Sequence, residues 1–226
     1  LQTDEGMVVM QRDAPALAEH CRALGAPLAN ADTVLPFYDV ASNAEILSGF
    51  FARRIVLVEG ATEREALPAY LKQVGLDVVK EGIAIVSVQG VGNLARWFRL
   101  FSAYGIPVYV IFDNDNEVDP EARRRDDLFA ALRLDEETKT GLLQAETLVV
   151  DPGIAVFGRN FEDTLRGWFL DDYDEQERAG REVYGLTGEA SKPLLGRYIA
   201  EQLVLEEGTG PWNGFTTFAE AINASA

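Results

Sequence analysis

The chain carries one cysteine, Cys21, and one histidine, His20, among its 226 residues. A disulfide within the chain is therefore excluded, and structural zinc, which takes about four N or S ligands, has no ligand set to draw on. Both residues fall in an early helical stretch and read as packing or surface. Long hydrophobic runs are missing too: none approaches the roughly 20 residues that span a bilayer. The opening residues, Leu1 to Glu5, show neither an initiator Met nor the basic-then-apolar pattern of a leader. The expectation is a segment of a longer cytoplasmic protein with no membrane partner. Positive charge is scarce, with 20 Lys and Arg against 37 acids and a net charge of −17. That weighs against a simple electrostatic grip on nucleic acid. Most of the acids read as solubilising surface, and a DNA partner would need bound divalent cations or another domain to offset repulsion.

What is present is ordinary globular material, 47% hydrophobic and 25% charged, sufficient for one large domain or a domain with an appendage. Residues 1–52 read as an N-terminal helical segment. Asp13 is a candidate N-cap with Gly25 at the far end, and Ser42 or Asn43 caps a second helix. From residue 53 the pattern changes. Ile55–Val58, Ile83–Val88, Val108–Phe112 and Thr147–Val150 are short Val- and Ile-rich runs, separated at first by helical stretches at Glu63–Val74 and Asn93–Tyr104. Near-continuous apolar strands alternating with helices indicate an α/β fold with a mainly parallel sheet covered on both faces. Beyond residue 158 the strands stop, and 158–226 reads as a C-terminal helical extension.

Two acidic clusters stand out. In "RRIVLVEGATEREALPAYL" Glu59 ends the first strand and Gly60 permits a tight turn. Thr62 and Glu65 have capping-box spacing, which would put Glu63 at the first helical position, where negative charge favours helix initiation. That accounts for Glu63 and Glu65 without any ligand, but not for Glu59. In "VYVIFDNDNEVD" Asp113 and Asp115 arrive at the carboxyl end of another strand, the edge where open α/β sheets build their sites. Residues two apart on extended chain face the same way. If the strands are neighbours, Glu59, Asp113 and Asp115 converge with Glu63 close by. Crowded carboxylates repel, and a hard, oxygen-loving cation relieves them: Mg²⁺ first, with Mn²⁺ or Ca²⁺ as alternates.

A strand ending in Glu-Gly, a Glu four residues on, and a strand ending in Asp-x-Asp is a pattern that resembles the Toprim domains. Within that superfamily "LVEGATEREALPAYL" is most similar to the overcoming lysogenization defect (OLD) nucleases, and "NFEDTLRGWF" with "SKPLLGRYIAEQL" resembles their helical extension. The resemblance spans about residues 45–205. It implies a Toprim (Rossmann-like) catalytic domain at 53–157 and metal-dependent cleavage of DNA phosphodiesters in a bacterial setting. By motif, Glu59, Glu63, Asp113 and Asp115 would be metal ligands, Glu162 would complete a second metal site, and Lys192 would steady charge on the phosphate. The family also implies an ATPase domain in cis. No G-x-x-x-x-G-K-[ST] occurs in this chain, so ATP hydrolysis is not expected of it.

Rival readings rest on other residues. Gly90, Gly92 and Ala95 match a dinucleotide fingerprint followed by Asp113 about 20 residues on, but that leaves Glu59 and Glu63 without a role. A phosphatase-type reading of Asp113 fails at Glu117. A calcium-loop reading fails at Val118 and Arg124. A Toprim module that only binds DNA or protein remains open. Asp119 and Pro120 would start a further helix, whose Arg123, Arg124 and Arg125 either grip DNA phosphates or form a solvated face. Arg96 and Arg99 carry the same two readings, and the Trp97 between them reads as core.

Overall fold

Uninterrupted Val/Ile runs suit strands buried on both faces, and here they assemble one sheet. The computed structural model describes residues 2–3, 6–7, 11–115, 123–187 and 191–224. Two short strands, β1 (Gln2–Thr3) and β2 (Gly6–Met7), pair antiparallel where helix was expected. The main sheet comprises β3 (Arg54–Val58), β4 (Ile83–Ser87), β5 (Val108–Asp113), β6 (Val149–Asp151) and β7 (Ile154–Phe157). Their order is β4-β3-β5-β7-β6, parallel throughout except for the β6–β7 hairpin. The sequence reading has one strand at 147–150; the structure has two joined at Pro152–Gly153, and the parallel one is the unanticipated β7. Four consecutive apolar residues, Ile154 to Phe157, leave no alternation by which to recognise it.

Helices cover both faces. α1 (Ala14–Ala23), α2 (Ala31–Ala41) and α3 (Ala44–Ser48) precede the sheet, with Asp13, Asn30 and Asn43 as side-chain N-caps. α4 (Ala61–Gln73) follows β3, and α5 (Val91–Ala103) follows β4. α6 (Arg123–Leu132) and α7 (Glu136–Leu143) separate β5 from β6. After the sheet come α8 (Phe161–Phe169), α9 (Asp171–Tyr184), α10 (Lys192–Gln202) and α11 (Gly210–Ala224). The helical stretch after residue 158 is broken at Leu170, whose positive φ of 51° turns the chain between α8 and α9. Among the described residues no helix is long and apolar enough to cross a membrane.

Alternation along the strands divides the core. Ile55, Leu57, Val110 and Phe112 pack with α1, α2, α5 and α6 through Leu17, Val34, Phe101 and Phe129. Val56, Val58, Tyr109 and Ile111 face the other way, onto Leu67 and Tyr70 of α4, Ile199 of α10 and Phe218 of α11. The C-terminal helices thus belong to the second face of the sheet. Trp97 is buried, as expected. Arg99 is buried too, with Nη2 2.5 Å from Asp127 and Nε donating to Leu24 O at 2.8 Å, so it serves packing rather than nucleic acid. Arg96 lies 4.2 Å over the Phe37 ring.

Candidate metal centre at the carboxyl edge of the sheet

Because β3 lies between β4 and β5, the residues leaving its carboxyl end face the starts of α4 and α5 and the end of β5. Glu59 is placed there. Its Oε1 accepts the Asp113 N–H at 2.9 Å, and the carboxylate also takes the Val91 N–H opening α5. Burial pushes the Glu59 carboxyl up from 4.5 to about 7; the two N–H donors resist, while Glu63 and Asp115 add repulsion.

Helix α4 begins two residues earlier than capping-box spacing implies. Gly60 is its N-cap, without a side-chain cap, so Glu63 occupies the third helical position rather than the first. From there its carboxylate lies against Gly60, and the N–H groups of Gly60 and of Glu63 itself favour its charged form. A Cβ on residue 60 would lie 2.7 Å from Glu63 Oε2, so any other residue there would push this carboxylate aside. Glu65 faces elsewhere, onto Arg64 and Arg197. Burial raises Glu63 to about 7, and Glu162 and Asp115 push in the same direction.

Asp113 closes β5. Its Oδ1 is buried with no hydrogen-bond partner. Burial, followed by the charges of Glu63, Glu59 and Glu162, holds its carboxyl well above the usual carboxylate range. Asp115 is also raised, by burial, while Arg125 and Arg159 draw it back. Glu59, Glu63, Asp113 and Glu162 line one shallow cavity of about 360 Å³, with Thr62 and Gln89 at its walls. Asp115 is not in that wall, although its charge is felt at Glu59, Glu63 and Asp113. Glu162, in the first turn of α8 behind its Asn160 cap, also lines an adjoining polar cavity of about 290 Å³. Lys192, exposed at the start of α10, lines that second cavity and not the first.

Among the described residues no three His, Cys, Asp or Glu side chains stand in a ready-made coordination shell. The acids are instead turned onto backbone donors. Three features fit a cation nonetheless: an oxygen-only donor set, a buried carboxylate oxygen without a partner, and carboxyl groups raised by burial and one another. Oxygen donors select hard ions such as Mg²⁺, Mn²⁺ or Ca²⁺.

Arg125 departs from expectation. It is neither solvated nor directed at a substrate but 2% exposed, with Nη1 2.6 Å from Asn114 Oδ1. The side chains of Arg123 and Arg124, together with Asp119, Pro120, Glu117 and Val118, lie outside the described residues. Two neighbours of the site escaped the sequence reading. Gln89 holds a left-handed φ of 60° at the cavity wall, in the sparsely populated region where strain gathers at functional sites. Arg159, exposed, pairs with Asp163 at 3.3 Å and acts on Asp115. No motif marks either one; only their position just after a strand could have.

The dinucleotide fingerprint is accounted for differently. Gly90 adopts φ 111° at the N-cap of α5, and its N–H donates to Glu59 O at 2.8 Å, so the glycine serves the turn beside the acids.

Residues 50–115 match the family described as "Overcoming lysogenization defect protein-like, TOPRIM domain". Among solved structures, the C-terminal region of the Xanthomonas campestris pv. campestris OLD protein aligns with a TM-score of 0.57 and 18% identity, covering 77% of this chain and 98% of that one. The C-terminal region of the Burkholderia pseudomallei OLD protein aligns with a TM-score of 0.56 and 21% identity, covering 78% of this chain and all of that one. At such identities the likeness is one of fold. None of the curated proteins matches the chain. Residues 50–115 thus belong to the OLD-like Toprim family, and they are set in the α/β fold shared by the C-terminal regions of OLD proteins.

Proposed function

We propose that this chain is a divalent-metal-dependent DNA endonuclease, the nuclease region of a protein that also carries an ATPase domain in cis. The observation that carries the reading is the gathering of Glu59, Glu63, Asp113 and Glu162 around one cavity, with Asp113 Oδ1 buried and unpartnered. Glu59, Glu63, Asp113 and Asp115 would hold one ion, and Glu162 would complete a second site. Two bound divalent ions supply activation of a water and stabilisation of the leaving oxygen. Lys192, in the cavity that shares Glu162 and Thr62 as walls, would stand against the charge growing on the phosphate. Arg159 offers an exposed cation beside the acids for a neighbouring phosphate. With a net charge of −17, bound cations or another domain must offset the repulsion for DNA to approach.

The test incubates supercoiled and linear DNA with the protein in Mg²⁺, Mn²⁺, Ca²⁺ or EDTA, beside Asp113→Ala. Nicking or cutting that requires the metal and is lost in the variant supports the reading. No cleavage in any metal, with DNA still retained, would assign the module to binding alone.

A further inference from the structure

A positive charge buried beside an acid cluster needs a reason, because an ion removed from water is costly unless its donors are satisfied. Arg125 is such a charge. It stands on α6, and only 2% of it is exposed. Its Nη1 donates to Asn114 Oδ1 at 2.6 Å. Asn114 is the middle residue of Asp113-Asn114-Asp115 and is itself 3% exposed. Every arm of Asn114 is fastened. Its N–H donates to Phe157 O at 3.1 Å, tying the end of β5 to β7. Its Nδ2 donates to Leu143 O at 2.7 Å and reaches Leu142 O at 3.4 Å, both at the end of α7.

We propose that Arg125 and Asn114 form a buried clamp that positions Asp113 and Asp115 for the cation, with Asn114 anchored from β7 and α7 and Arg125 locking its carbonyl oxygen. With the middle side chain pinned inward, the carboxylate of Asp113 at the end of β5 turns to the site, and Asp115 stands near enough for its charge to be felt at Glu59, Glu63 and Asp113. Arg125 also supplies a fixed counter-charge. The inference rests on the metal-site reading above and assigns a positioning role, not a ligand.

The test is Mn²⁺ binding by calorimetry on the wild type, Arg125→Met, Arg125→Lys, Asn114→Ala and the Arg125→Met/Asn114→Ala double variant, with melting in EDTA as the check on folding. Loss of a partner that orients a ligand weakens metal binding about 10–100-fold, and that loss is expected for Arg125→Met and for Asn114→Ala. The double variant should bind no more weakly than either single one, because residues acting as a unit are not additive. Arg125→Lys, which keeps a donor and the charge, should recover part of the loss; if Arg125→Met does not fold, Arg125→Lys and Asn114→Ala decide. Variants that bind Mn²⁺ as tightly as the wild type, or more tightly because a repelling cation has gone, overturn the clamp, as do single effects that simply add. A wild type that takes up no Mn²⁺ overturns the metal reading and the clamp together.

Discussion

The layer of α1, α2 and α5 and the carboxyl edge of the sheet treat buried polar groups in opposite ways. In the helical layer each one finds a partner: Tyr38 Oη donates to Arg96 O at 2.9 Å, His20 Nε2 lies 3.0 Å from Ser102 Oγ, and Arg99 is held by Asp127 and Leu24. At the sheet edge Asp113 Oδ1 has none, and four neighbouring acids raise its carboxyl further. A buried polar group without a partner costs about 1–3 kcal/mol, more when charged. One region is therefore arranged for stability, while the other surrenders stability to keep negative oxygen available.

The comparison breaks most sharply at Asp113. Asp113→Asn should lower metal-dependent cleavage by more than about 100-fold, beyond the loss of a group that merely orients a ligand. The same variant should melt higher than the wild type in EDTA, since repulsion disappears with the charge. A variant that melts lower in EDTA would show that the acid is structural after all.

Next in size is the pH dependence without metal. Glu59 and Glu63 are raised from 4.5 to about 7 in the folded chain, so the folded state holds protons that the unfolded state has released. Stability is then greatest below about 4.5, falls as pH rises, and reaches its lower level above about 7, a change on the order of 3 kcal/mol for one such group. Other acids with depressed values, such as Asp77 and Asp135, work in the opposite sense but are exposed. Melting curves from pH 5 to 8 in EDTA should show the decline, and Mn²⁺ should flatten it by taking the place of the protons.

In the helical layer the expectation reverses. Asp127→Ala leaves Arg99 buried without its carboxylate and should cost about 1–3 kcal/mol in denaturant unfolding, with Mn²⁺ affinity unchanged. A change in Mn²⁺ affinity would show that the two regions are coupled. The smallest effect on stability is expected at Gly60→Ala, roughly 1 kcal/mol or less in melting, because glycine is only a modest N-cap. Calorimetry should nonetheless show weaker Mn²⁺ binding, since the new Cβ would displace the Glu63 carboxylate.

Much of the fold was legible. The apolar runs that become β3, β4 and β5 carry their own burial pattern, and Asp13 and Asn43, the latter offered beside Ser42, announce helices through cap chemistry. The start of α4 was misread because Thr62 and Glu65 satisfy capping-box spacing while Gly60 and Glu63 form the actual turn. Spacing alone cannot say which of two overlapping pairs closes. Arg125 was misread for a different reason: three consecutive arginines look alike in sequence, and nothing local marks Arg125 as buried.

Local chemistry in the chain determined by itself that apolar strands would alternate with helices and that acids would stand where two of those strands end. Tertiary structure alone decided that β7 would enter beside β5, and that Glu162 and Lys192, about 100 residues or more beyond Glu59, would border the same or an adjoining cavity. Periodicity and capping act over a few residues, whereas strand order and helix docking depend on contacts between segments that no local pattern records.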